Sequence, residues 1–195
     1  LGSFTVGGGS ATSTETAVVT LTTLSDGLDQ NSGGGTEGTN NTLSNGSENN
    51  VRWEITSQNA NKGTFNLVLR RGDDTSNRKS ILEQHTNLTL DPNSTDYIAR
   101  RLGDQSFVMR DSGGADPFLQ LSGDFANRSK YVRATVLKNT YNYLDSNGAI
   151  RDATLTDFLP EVGSGSFANG LNGNIVHPQK ITQTQDWTTE ITGYL

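Results

Sequence analysis

Apolar side chains recur at every second position through the middle of the chain. Val51, Trp53 and Ile55 alternate with Arg52, Glu54 and Thr56, the period of a strand with one buried face. Residues 63–72, GTFNLVLRRG, repeat the pattern with Phe65, Leu67 and Leu69 on one side, and the link QNANKG suits a hairpin loop between the two. Residues 16–24, TAVVTLTTL, are rich in β-branched side chains and predict a strand. Further strands are expected at Ser80–Glu83, running on towards Leu90, at Ser106–Arg110 and at Tyr131–Lys138.

One helix is expected, over about 94–102. Asp91-Pro92-Asn93-Ser94 supplies a turn and an N-cap, because a short polar side chain can accept the free first-turn amides. Tyr97, Ile98 and Leu102 then share a side, Arg100 and Arg101 suit the negative end of the helix dipole, and Gly103 is placed for a left-handed cap. Asn147-Gly148 signals a type I′ hairpin turn. The Gly- and Asn-rich stretch 25–50 and residues 160–174 read as loops, and residues 1–15 as a flexible lead-in. The fold class is therefore mainly β: an antiparallel sandwich or barrel-like domain with one short helix and long Gly/Asn-rich loops. The expected division is a lead-in at 1–15, a β-rich domain at 16–174 and an extension at 175–195 leading towards a further domain.

Composition narrows the function classes. The 195 residues hold no cysteine and two histidines, with 22 glycines and a net charge of -6. Disulfides, thiolate nucleophiles and Cys-based zinc sites are excluded. Residues 1–50 carry five acidic residues and no Lys or Arg, and no basic cluster follows. Such a chain repels phosphate backbones, so no nucleic-acid partner is expected. No run approaches the ~20 apolar residues of a membrane span.

Each candidate for chemistry has a plainer reading. Arg71-Gly72-Asp73 matches an integrin-type tripeptide, but Gly-Asp-Asp after a strand is what a turn looks like. Asp73 and Asp74 could pair as carboxylates, although adjacent carboxylates in a polar turn are expected to be solvated. Asp145 to Asp152 has a calcium-loop look, with its glycine too early and no bidentate Glu. Gly163-Ser-Gly165 lacks the third glycine and the strand–helix context of a dinucleotide site. His85 and His177 have no evident partner. Sequons begin at Asn40, Asn45, Asn87, Asn93 and Asn127, as chance gives in so Asn- and Ser/Thr-rich a chain. Trp53 or Trp187 could stack on sugar if exposed. No catalytic, cofactor-binding or metal-binding residue is therefore assigned, and a non-enzymatic structural or binding domain is expected.

A broader pattern lies in residues 50–133. Gly63, Phe65 and Leu67 lead to Glu83, Asn87, Leu88, Leu90, Asp91, Pro92, Ser94, Tyr97 and Ile98, followed by Asn127-Arg-Ser-Lys-Tyr-Val-Arg133. This order and spacing resembles the tail sheath proteins of contractile-tailed bacteriophages, and the likeness extends over about 120 residues to the glycine-rich stretch at 165–173. Thr89 stands where the family has Ser, and His85 where it has an aromatic. The large C-terminal α/β core of a sheath protein is not within these residues, so an upstream or peripheral domain is implied.

The resemblance implies a structural virion protein: an outward-facing sheath domain that assembles around the tail tube and rearranges on contraction. Its partners would be copies of itself in a helical sheath and, through the rest of the protein, tail tube and baseplate. Its place would be the virion tail, after assembly in the host cytoplasm. The alternative is a head-decoration, baseplate or host-adsorption module binding surface glycans. A third reading is a hydrolase using Asp73, Asp74 or His85.

Overall fold

The alternating segments form strands because each has one apolar edge to bury and β-branched or aromatic side chains that fit a pleated surface. A computed structural model of the chain describes residues 3–7, 17–24, 38, 42–44, 46–110 and 117–167. In chain order the elements are β1 (Ser3–Gly7), β2 (Ala17–Thr23), β3 (Val51–Asn59), β4 (Thr64–Arg71), β5 (Ile81–Leu88) and α1 (Ile98–Leu102). Then come β6 (Ser106–Arg110), β7 (Phe118–Ser122), β8 (Val132–Val136), a 3-10 turn at Ala153–Phe158 and β9 (Gly163–Ser166). The fold is mainly β with antiparallel pairing, as the alternation requires.

Among the described residues these strands form three sheets: β5-β4-β3-β9, β1-β2-β8 and the two-stranded ribbon β6-β7. A single apolar cluster joins the first two. Val18, Val19 and Leu21 of β2 and Val132 and Ala134 of β8 meet Val51, Trp53, Ile55, Phe65, Leu67 and Leu69, with α1 adding Ile98, Ala99 and Leu102. Residues 3–7, placed by the sequence in the lead-in, form the edge strand beside β2. Within the 25–50 stretch, Leu43 is buried, and Gly46 lies so close to Gly72 that a Cβ would stand 2.1 Å from the Gly72 carbonyl oxygen.

The helix is shorter than expected. Thr89 bridges to Tyr97, and its amide bonds Asp96 O while Ile98 N bonds Thr89 O. These bonds hold Tyr97 extended, with ψ 129°, so helical geometry starts only at Ile98. Asp91 and Ser94 are used in local turns instead, accepting the amides of Asn93 and Asp96. Arg100 and Arg101 do occupy the last turn. Gly103 has φ 103° and ψ 158°, an extended glycine-only conformation and not a left-handed helical cap. A Cβ there would lie 2.3 Å from Asn127 Cα.

Two turn readings also change. Of Asn147 and Gly148 only the glycine has positive φ, so the turn is not type I′. Asp145 N bonds Ala149 O and the Asp145 carboxylate accepts the amides of Asn147 and Ala149. The flanks make one bridge, Leu144 to Ile150. The 160–174 loop contains a strand: β9 pairs with β3 from Ile55–Gly163 to Arg52–Ser166. Gly165 crosses the Trp53 indole, where a Cβ would come within 3.0 Å of Cζ2. Glycine is thus what lets this strand close the sheet.

Candidate functional site: an exposed apolar ribbon

Among the described residues, two clusters depart most from a simple inside-apolar, outside-polar arrangement. The first is the outer face of β3 and β4. Arg52 and Arg70 stand directly opposite each other across the two strands, and both are buried. Like charges so placed repel. The loop after β4 folds back and sets the buried Asp74 between them, 3.1 Å from Arg52 Nη1 and 2.7 and 2.8 Å from Arg70 Nε and Nη2. Arg70 Nη1 also bonds Glu54 at 2.9 Å, and Lys79 Nζ reaches Glu54 at 2.6 Å. Burial works to lower the basicity of Arg70, but Asp74 and then Glu54 outweigh it and raise it.

This cluster corrects the expectation that the adjacent carboxylates Asp73 and Asp74 are both solvated. Asp74 is an internal counter-ion. Asp73 faces outward and is chelated by Arg71, with Nε to Oδ1 at 2.9 Å. That contact, more than anything else, holds the Asp73 carboxyl below the usual carboxylate range. Gly72 is buried between them, its amide bonded to Asn50 O. The tripeptide is therefore a closed turn in which Arg71 and Asp73 satisfy each other. The two carboxylates point into different environments and form no acid–base couple.

His85 lies on β5 with Nε2 3.1 Å from Glu83 Oε2. The same Glu83 accepts the Ser129 hydroxyl at 2.7 Å and the Lys130 amide at 2.9 Å. Burial pushes the Glu83 carboxyl up, but those bonds and His85 outweigh it and hold it below its ordinary value. Ser129 Oγ donates to the carboxylate and accepts the amides of Tyr131 and Val132. It is not placed as a nucleophile activated by His85. The cluster ties the edge of one sheet to the strand entering the other.

The remaining candidates disperse. Asp145 caps its own turn and Asp152 caps the 3-10 turn through the Thr154 amide. Among the described residues no three His, Asp or Glu side chains converge on one point. Gly163 and Gly165 are strand residues. Asn87 is in the left-handed region at φ 56°, its amide bonded to Asn66 Oδ1, and the Asn127 side chain donates to Gln105 O. Asn93 is exposed. Trp53 is only 8% exposed, so it cannot serve as a sugar platform. Asn40, Asn45, His177 and Trp187 lie outside the described residues.

The second departure is the β6–β7 ribbon. Its register pairs Phe107 with Leu121 and Met109 with Leu119. Directly opposed residues share a face of the pleat, so these four apolar side chains form one face. They are exposed by 72%, 49%, 45% and 63% respectively. The opposite face carries Val108, Arg110, Phe118 and Gln120, with Arg110 Nε bonded to Gln120 Oε1 at 2.9 Å. Among the described elements, neither strand packs extensively on any but its partner strand.

The root of the ribbon is firmly held. Asp104 exchanges bonds with Phe125 (Asp104 N to Phe125 O at 3.1 Å, Phe125 N to Asp104 Oδ1 at 2.7 Å), and Gly123 turns the chain at φ 117°. A cleft of about 310 Å³ opens beside the root, bordered by Tyr97, Asp104, Ser106, Ser122 and Thr135. Its polar groups are already committed in part, since Asp104 holds the Phe125 amide and Tyr97 donates to Asn139.

Sequence reasoning found β6 but missed β7 and the meaning of both. The signal was present in Phe118-Leu-Gln-Leu-Ser, another alternating run. Periodicity announces an apolar face and does not say what covers it. A two-stranded ribbon is marginal alone in water, and a contiguous apolar face on a surface marks an interaction site. The ribbon thus presents an exposed apolar face. No protein-family model matches the chain, and no curated protein or solved structure is significantly similar to it.

Proposed function

We propose that this chain is a structural virion domain, an outward-facing domain of a phage contractile tail sheath that assembles around the tail tube and rearranges on contraction. The β6–β7 ribbon supports the assembly part of this reading, because it exposes a contiguous apolar face. The sheath part rests on the pattern in residues 50–133. Its residues build one continuous piece of structure. Phe65, Leu67, Leu88, Leu90, Tyr97 and Ile98 are core, and Gly63 turns the hairpin at φ 67° beneath the Tyr143 ring. Asp91 binds the amides of Asn93 and Asn142, and Glu83 binds Ser129 and Lys130. Switching between two packings needs bistable contacts between rigid units and no reacting groups. Of the two tryptophans on which the glycan-binding alternative leaned, Trp53 is buried and Trp187 lies outside the described residues.

Electron microscopy of the full-length protein tests this reading. Tubular polymers are expected, fewer and shorter after Phe107→Ser with Leu119→Ser. A protein that forms no tubes and is absent from contractile particles would remove the sheath assignment.

A further inference from the structure

We infer that the Phe107, Met109, Leu119, Leu121 face is a homotypic docking surface, whose occupant is the same face of a second copy of this chain. The inference rests on the reading of the ribbon as an assembly surface, but not on the sheath assignment.

Three observations select a second copy. The first is charge. The chain carries a net charge of -6, so two copies repel over most approaches. Strands β6 and β7 contain no acidic residue, and their one charged side chain, Arg110, is on the opposite face and bonded to Gln120. The face itself therefore adds no carboxylate to the repulsion between two acidic copies.

The second is symmetry. A two-fold axis lying between two stacked faces, across the strands, sets each end of the face over the opposite end of its partner, and the register places Phe107–Leu121 and Met109–Leu119 as successive cross-pairs. Turned over on itself, an aromatic at one end meets the thioether and Leu119 of the other copy. Self-complementary patches of this kind give closed dimers, the commonest homo-oligomer.

The third is area. At their observed exposures the four side chains offer roughly 450 Å² per copy, taking about 200 Å² for each when fully exposed. Stacking two faces removes roughly 900 Å² from these side chains, and flanking backbone brings the total to about 1,000 Å², the lower limit of a specific interface. An interface at this lower limit suits a reversible dimer.

Sedimentation velocity of the 195-residue chain from about 1 to 300 μM tests the inference. A concentration-dependent dimer is expected, weakened at least tenfold by Leu119→Glu. The side chain is 63% exposed, so the monomer's melting temperature should not move. A milder Phe107→Thr, which keeps strand propensity, should weaken the dimer in the same direction.

A measurement that leaves the apolar face intact guards against misfolded variants. The chain has no cysteine, so Gln120→Cys gives a single nitroxide site on the far face of the ribbon. Stacked ribbons about 10 Å apart place two such labels roughly 20–30 Å from each other, as one narrow distance distribution. A chain that stays monomeric throughout, or a dimer indifferent to both substitutions and lacking that distance, overturns the inference. Either result can coexist with tubes of the full-length protein. A dimer of a protein that forms no tubes sustains this inference and removes the sheath reading instead.

Discussion

Asp74 is the residue on which the outer face of β3 and β4 depends. Two buried guanidiniums face each other there, and one carboxylate reaches both. Asp74→Ala is expected to cost about 3–5 kcal/mol, because it leaves uncompensated buried charge, and urea unfolding reads the loss directly. Replacing Arg52, Arg70 and Asp74 together with Met, Met and Leu should recover most of it, since a well-packed apolar set serves as well as a buried ion cluster. A triple variant as unstable as Asp74→Ala would show that the charges do more than neutralise each other. Glu83 contributes to the acid limb of stability. Its folded pKa lies below the ordinary 4.5, so its contribution is present above that value and fades as pH falls through the folded one. Glu83→Gln should therefore flatten the stability profile between about pH 5 and 3 while lowering stability at neutral pH. Chemical denaturation across that range checks both.

Among the elements, β9 shows how little side-chain pattern a strand can need. Its four residues are Gly-Ser-Gly-Ser, and its contribution is backbone pairing laid across Trp53. Gly165→Val is expected to detach it, at about 1–3 kcal/mol for the overpacking, with faster amide exchange in β9 and the facing half of β3. What could be read in the sequence follows the same line. Val51, Trp53 and Ile55, or Phe65, Leu67 and Leu69, announce strands because each has a face to hide. Gly and Ser have none, so β9 read as loop. Arg52 and Arg70 read as a solvent face because periodicity treats charge as exposure, and it cannot foresee the loop after β4, 22 residues from Arg52, bringing Asp74 between them. The helix start was misplaced for a related reason: Ser94 is a good cap, but the contact between Thr89 and Tyr97 decides where helical geometry can begin. The ribbon was half legible, its alternation plain and its exposure hidden.

At the scale of the molecule, polarity and stickiness are separated. The acidic charge of the first 50 residues and the apolar face of the ribbon belong to different stretches of chain. Self-association should then strengthen with salt, contrary to a contact made of ion pairs. Raising sodium chloride from 20 to 300 mM shortens the screening length from about 20 Å to below 8 Å and weakens repulsion between the copies. The sedimentation-derived dissociation constant is expected to fall several-fold over that range. A constant that rises would mean that attraction between charges, not apolar burial, holds the pair.

One residue next to β9 carries more than its own packing. Phe167 is fully buried just past the strand, while Gly163 and Gly165 both present a bare backbone to Trp53. Shifted by two residues, the strand would again lay glycine on the indole, and strands so poor in side chains specify their register weakly. Phe167 is the pin that picks one setting. Phe167→Ala should let β9 ratchet by one two-residue tooth, about 6.6 Å of travel, visible as two sets of backbone resonances for β9 where the parent chain gives one. The pin thereby fixes which residue of β9 makes the last pairing with β3.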